Sequence, residues 1–141
     1  MRKGYFFVAA QFLCLAYFFS QGGFWLTNNG ALFFHFLGLL LGVYAVYSMS
    51  RAKLSILPEL KEESKLITHG PYRKIRHPMY TALLLYFFPY LQVSTSLLLV
   101  YLLLLITLIL KLNYEEKLLR KTFPIYLDYS KKTYRLIPWL Y

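Results

Sequence analysis

Residues 95–110 read TSLLLVYLLLLITLIL, and this run decides the fold class. It holds no charged side chain and ends against Lys111. A helix needs about 20 apolar residues to cross a hydrocarbon core about 30 Å thick, and continuing to Leu112 brings this run near that length. Working outward, three more uncharged stretches precede it. Met79 to Val93 contains Pro89, Ala31–Met49 contains His35, and Gly4–Ser20 is interrupted only by Gln11. The expectation is an all-α integral membrane protein with four transmembrane helices, at about 4–20, 31–49, 79–93 and 95–112. The third stretch is short, and the polar residues Gln92–Ser96 follow it, so the last two spans read as a helical hairpin bent at Pro89. Pro78 suits the first turn of the third helix. Leu118, Leu119, Phe123, Tyr126, Leu127 and Tyr134 are spaced for a C-terminal cytoplasmic interfacial helix, which Pro124 must break or restart.

Composition supports the same class. The chain has 141 residues, one domain by length, of which 58% are hydrophobic, 20% aromatic and only 16% charged. Soluble domains carry about 25% charged residues, and a small chain buries too little surface to hide this much apolar material. The net charge of +10 would suggest nucleic acid in a soluble protein; beside these apolar runs it points to a membrane and not to nucleic acid. Its placement orients the chain. Arg2 and Lys3 precede the first stretch, and residues 21–30 and 92–96 carry no charge. Every other Lys and Arg lies at 51–76 or 111–135. Four crossings put all of them on one face, cytoplasmic by the positive-inside rule. The expectation is a multi-pass protein of the cell membrane with both termini cytoplasmic. Residues 4–20 do not read as a cleaved signal, because no small-x-small site follows. Cys14 has no partner for a disulfide, and three dispersed histidines give no metal set. His35, near the outer end of its span, reads as a structural hydrogen-bonding residue.

Ionic residues other than Arg2, Lys3 and His35 are therefore confined to two segments, residues 50–78 and 111–141, within which 64–80 and 111–138 are the candidate binding segments. The first contains Gly70-Pro71-Tyr72, a turn, and then Arg76-His77-Pro78-Met79-Tyr80, which sets an imidazole at the start of a membrane helix. A helix start can seat a carboxylate or phosphate. On composition alone, the segment reads first as a basic loop on anionic headgroups. In the second, Lys111 and Glu115 share a helix face, and adjacent acids at a bilayer surface stand out. The plain alternative is a solvated helix paired through Lys111, Lys117 or Arg120. The ending from Tyr134 to Tyr141 also reads as an aromatic anchor with Arg135 snorkelling.

The ordered set Gly70-Pro71-Tyr72, Arg76-His77-Pro78-Met79-Tyr80, Glu115-Glu116, Phe123 to Tyr129 and Arg135-x-Ile137-Pro138 resembles the isoprenylcysteine carboxyl methyltransferase superfamily, which includes phospholipid methyltransferases. The resemblance covers about residues 60–138. It implies S-adenosylmethionine as methyl donor, held at the cytoplasmic surface by Ser64, Lys65, Leu66, Ile67, Tyr72, His77, Pro78, Met79, Tyr80 and Glu115. It implies that Lys111, where family members place an Arg, and Arg135 orient the acceptor. The implied partners are the bilayer and a lipophilic acceptor, a prenylcysteine-type or other hydrophobic carboxylate, with self-association open to so small a scaffold. Two positions depart from the pattern. Lys111 is a point charge where a fork would grip a carboxylate through two bonds, and Pro124 follows Phe123 where the family has Gly. Two competing readings remain. Membrane sterol and steroid reductases, which use NADPH, share an Arg-His-Pro-x-Tyr segment and a Tyr-Arg-x-x-Pro ending. A non-enzymatic membrane subunit with a basic face is the third reading.

Overall fold

The computed structural model describes residues 2–50 and 66–138, with side chains from residue 4 onward. Its helices are α1 (Arg2–Gly22), α2 (Asn29–Ser50), α3 (Pro78–Phe87), α4 (Thr95–Thr122) and α5 (Tyr126–Lys131), with short 3-10 turns at Gly70–Arg73 and Phe88–Gln92. Among the described residues there is no strand, only one parallel bridge between Ile75 and Tyr134. The all-helical class is as expected.

Among the described residues three helices are long and apolar enough to cross a membrane: Gly4–Gly22 within α1, Asn29–Ser50 and Thr95–Thr122. The stretch expected as a third span, 79–93, is not one helix. It is regular for 10 residues and then tightens. Pro89 is the cause: it has no N–H to give to the Leu85 carbonyl four residues back, and that carbonyl accepts instead from Phe88 N–H. Ser94 then caps α4, its side chain accepting from Leu97 N–H at 3.2 Å.

Helix α4 runs ten residues beyond the expected limit at 112. Its 28 residues make a rod about 42 Å long at about 1.5 Å per residue, longer than the hydrocarbon core. The charged lower part continues the same helix, with Arg120 3.7 Å from Glu116 one turn away. It ends where Phe123 adopts an extended backbone, φ −118° and ψ 104°, as a residue before proline must. Only the six residues of α5 follow, and Tyr126, expected on an interfacial face, is fully buried.

Packing pairs α1 with α4 and α2 with α3. The α2–α3 contact is backbone to backbone: a Cβ on Gly38 would lie 2.8 Å from both the Ala82 carbonyl oxygen and the Tyr86 nitrogen. Apolar solvent gives little force for association inside a bilayer, so such close approach is what holds the pair. At the uncharged end Phe18 stacks on Phe87 with centroids 4.4 Å apart, and Tyr90 donates to the Gly23 carbonyl at 2.8 Å. His35 is fully buried there. Its Nε2 accepts from Leu26 N–H at 3.2 Å, so Nδ1 carries the proton, 2.9 Å from the Tyr86 carbonyl. It ties α2 to α3 and to the loop before α2, the structural role its position suggested.

Candidate active site

At the charged end the site is built from a turn. Gly70 takes a left-handed φ of 61°, and a Cβ there would meet Ser48 Oγ of α2 at 2.5 Å. Glycine alone fits both demands. Pro71 then fixes the 3-10 turn that leads to Tyr72, Arg76 and His77. The segment pairs with the tail: Tyr134 N–H donates to the Lys74 carbonyl at 2.9 Å, Arg76 N–H to the Tyr134 carbonyl at 2.7 Å, and His77 N–H to the Arg135 carbonyl at 3.1 Å. Thr81 Oγ1 adds a bond to the Leu136 carbonyl at 2.7 Å, and Tyr129 OH one to the Tyr72 carbonyl at 2.6 Å.

The Arg76 guanidinium fastens this junction. Nε donates to Glu116 Oε1 at 2.8 Å and Nη1 to the Ser130 carbonyl at 2.8 Å and to the Thr133 carbonyl. Glu116 is almost fully enclosed. Arg135 stands 3.3 Å from its Oε2 and His77 Nε2 3.5 Å from its Oε1. A carboxylate this buried is stable only with such partners, so Glu116 and Arg76 hold the tail against α4.

Glu115, the preceding residue, faces the cavity instead. Its Oε2 accepts from Tyr80 OH at 2.7 Å and lies 3.7 Å from His77 Nδ1. The His77 ring stacks on Tyr80 at 5.3 Å, nearly parallel, so it stands between the two carboxylates. Lys111, 3% exposed, gives a hydrogen bond from Nζ to Gln11 Oε1 at 3.0 Å and sits 5.1 Å from the centre of the Tyr80 ring. Tyr72 has its pKa pushed up to about 12, by burial first and by the Glu115 charge second, so its hydroxyl remains a neutral donor.

These groups line one end of a cavity of about 990 Å³. Tyr72, His77, Met79, Tyr80, Lys111 and Glu115 all lie on its wall, with Gln11 and Arg76. From there the wall is apolar, running between α1 and α2 past Leu15, Gly42 and Leu83 to Phe24 and Trp25 at the uncharged end. Other expected site residues lie elsewhere. Ile67 is buried, Pro78 starts α3 from within the packing, and Leu66, Ile67, Pro78 and Arg135 are not on the cavity wall. Ser64 and Lys65 fall outside the described residues. The helix start offers less than its sequence suggests: Pro78 has no N–H, and Tyr80 and Thr81 N–H both turn to the His77 carbonyl. Only the Met79 N–H remains. Gln11 stands out as the lone strongly polar residue in its span, but nothing in sequence spacing links it to Lys111. The Arg76–Glu116 pair left no signal beyond its membership in two charged motifs.

The fold and the site define a class: a helical membrane protein whose polar groups open into one deep, mostly apolar cavity. The family model for phospholipid methyltransferases matches residues 27–125, more than two-thirds of the chain. The chain belongs to the phospholipid methyltransferase family and is a membrane methyltransferase. No curated protein matches it.

Proposed function

We propose that the chain is an S-adenosylmethionine-dependent methyltransferase acting on a lipophilic acceptor that carries a carboxylate, of the isoprenylcysteine carboxyl methyltransferase type. The observation that supports this most is the cavity, in which Glu115 and Lys111 stand about one helical turn apart on the wall of an otherwise apolar groove. The donor set fits the cofactor. Glu115 is a carboxylate open to the cavity, suited to an ammonium or a ribose hydroxyl. Tyr72 and Tyr80 give aromatic faces that attract cations, and His77 with the Met79 N–H suits a carboxylate. When bound, S-adenosylmethionine supplies an electrophilic methyl that passes from sulfur to an acceptor oxygen as the carbon–sulfur bond breaks, leaving a neutral thioether. The residues of the chain need not move a proton for a carboxylate acceptor, which is ionised near pH 7. Their contribution is alignment and exclusion of water by the apolar walls. Lys111 meets the acceptor's charge, and Arg135 acts at one remove through Glu116.

Residues 70–92 lie along α2 in the opposite direction, with Gly70 at Ser48 and Tyr86 at His35. This supports α3 and its 3-10 extension as a fourth crossing of the cell membrane, with both termini cytoplasmic and the site at the cytoplasmic surface.

The test is binding in detergent solution. The purified protein should bind S-adenosylmethionine and its demethylated product saturably, and Glu115→Ala and His77→Ala should abolish it. Binding of NADPH without S-adenosylmethionine would overturn the proposal in favour of a reductase.

A further inference from the structure

The nearest polar partner of Lys111 comes from the far end of the sequence. Gln11 belongs to α1, which lies outside the residues matched by the family model. An ammonium so enclosed is costly unless it is paired. Among the described residues its hydrogen-bond partner is the neutral Gln11 oxygen. Glu115, four residues on, is turned to Tyr80 and His77 instead. An ammonium has three N–H donors. One is held by Gln11, and the others stand at the cavity wall with the Tyr80 ring beneath. A carboxylate at position 11 would pair with the ammonium and quench its charge. An amide fixes it without adding a second negative charge to that of Glu115, which already acts on the ammonium.

We propose that Gln11 is a positioning residue for an anion-binding subsite at Lys111, which takes an anionic head on an apolar chain, the chain lying along the groove between α1 and α2. A carboxylate and a phosphate head share this chemistry. The inference rests on reading the cavity as the acceptor site.

The probes are dodecanoate and dodecyl phosphate, titrated against the full chain in maltoside micelles, with dodecanol as the neutral control. Wild type should bind at least one anion saturably, and the tighter of the two identifies the head. Gln11→Leu should weaken that binding about tenfold, the scale of a hydrogen bond to a charged group. Gln11→Glu should weaken it further, about a hundredfold. A purely structural Gln11 predicts the reverse, because Glu keeps the size and adds an ion pair. Wild-type affinity in Gln11→Glu, no anion binding by wild type, or equal weakening of dodecanol would each overturn the subsite. S-adenosylmethionine affinity of the wild type, measured in parallel, separates this subsite from the methyltransferase reading. Its absence with the Gln11 dependence intact would sink the methyltransferase reading alone. Amine labelling of Lys111 in the ligand-free protein gives a readout independent of any ligand. It should be faster in Gln11→Leu and slower in Gln11→Glu than in wild type, and equal rates would overturn the proposal.

Discussion

Glu115 and Glu116 are neighbours in sequence, yet they serve different sides of α4. Glu116 faces the tail and is closed in by Arg76, Arg135 and His77. Glu115 faces the cavity and touches a tyrosine hydroxyl and the edge of an imidazole. Successive residues on a helix differ by about 100°, so one step along the chain separates a group spent on holding the fold from one left for chemistry. Charge alone does not mark a site; what decides is how much of the charge the fold has already used.

This contrast can be broken by substitution. The largest effect should come from Glu116→Ala, which takes the carboxylate partner away from the buried Arg76 guanidinium. Loss of one partner of a buried ion pair costs about 3–5 kcal/mol. Thermal melting in detergent should fall sharply, and proteolysis should begin in residues 126–138. Wild-type melting would show that the tail is held by the backbone bridge alone. Glu115→Ala should do the opposite, with melting close to wild type and saturable S-adenosylmethionine binding lost. Equal destabilisation by both changes would erase the distinction. His35→Ala belongs on the structural side: it leaves the Leu26 N–H and the Tyr86 carbonyl without a partner and should cost about 1–3 kcal/mol, read as a lower melting point. Lys111→Arg should be the smallest. For a carboxylate acceptor methyl transfer should persist or rise, since a fork suits that head, and complete loss would point to another acceptor.

Much of this was legible in the sequence, for local reasons. Uncharged runs marked α1, α2 and the start of α4 to within a few residues, and Pro89 and Pro124 marked the two breaks. Tyr72, His77, Met79 and Tyr80 sit together because they surround the start of α3, and Lys111 and Glu115 because they are one turn apart on α4. What escaped is non-local. The continuation of α4 to Thr122 was hidden because its charges read as a change of environment, and a helix passes through such a change unaltered. Nothing in the spacing brings Arg76 to Glu116, or Gln11 to Lys111 across 100 residues. The role of Arg135 could be argued only by resemblance, whereas its contact with Glu116 depends on how the tail folds back.

The strap between residues 74–77 and 133–136 also sets an order of assembly. Chains are made from the amino terminus, so Arg76 and Glu116 are synthesised before the Ser130 and Thr133 carbonyls that complete the guanidinium's bonds. Until those residues emerge, the charged floor of the cavity is unfinished although every long helix already exists. Insertion and maturation of the site are thus separate events in the life of the molecule, and the second waits on the last few residues of the strap.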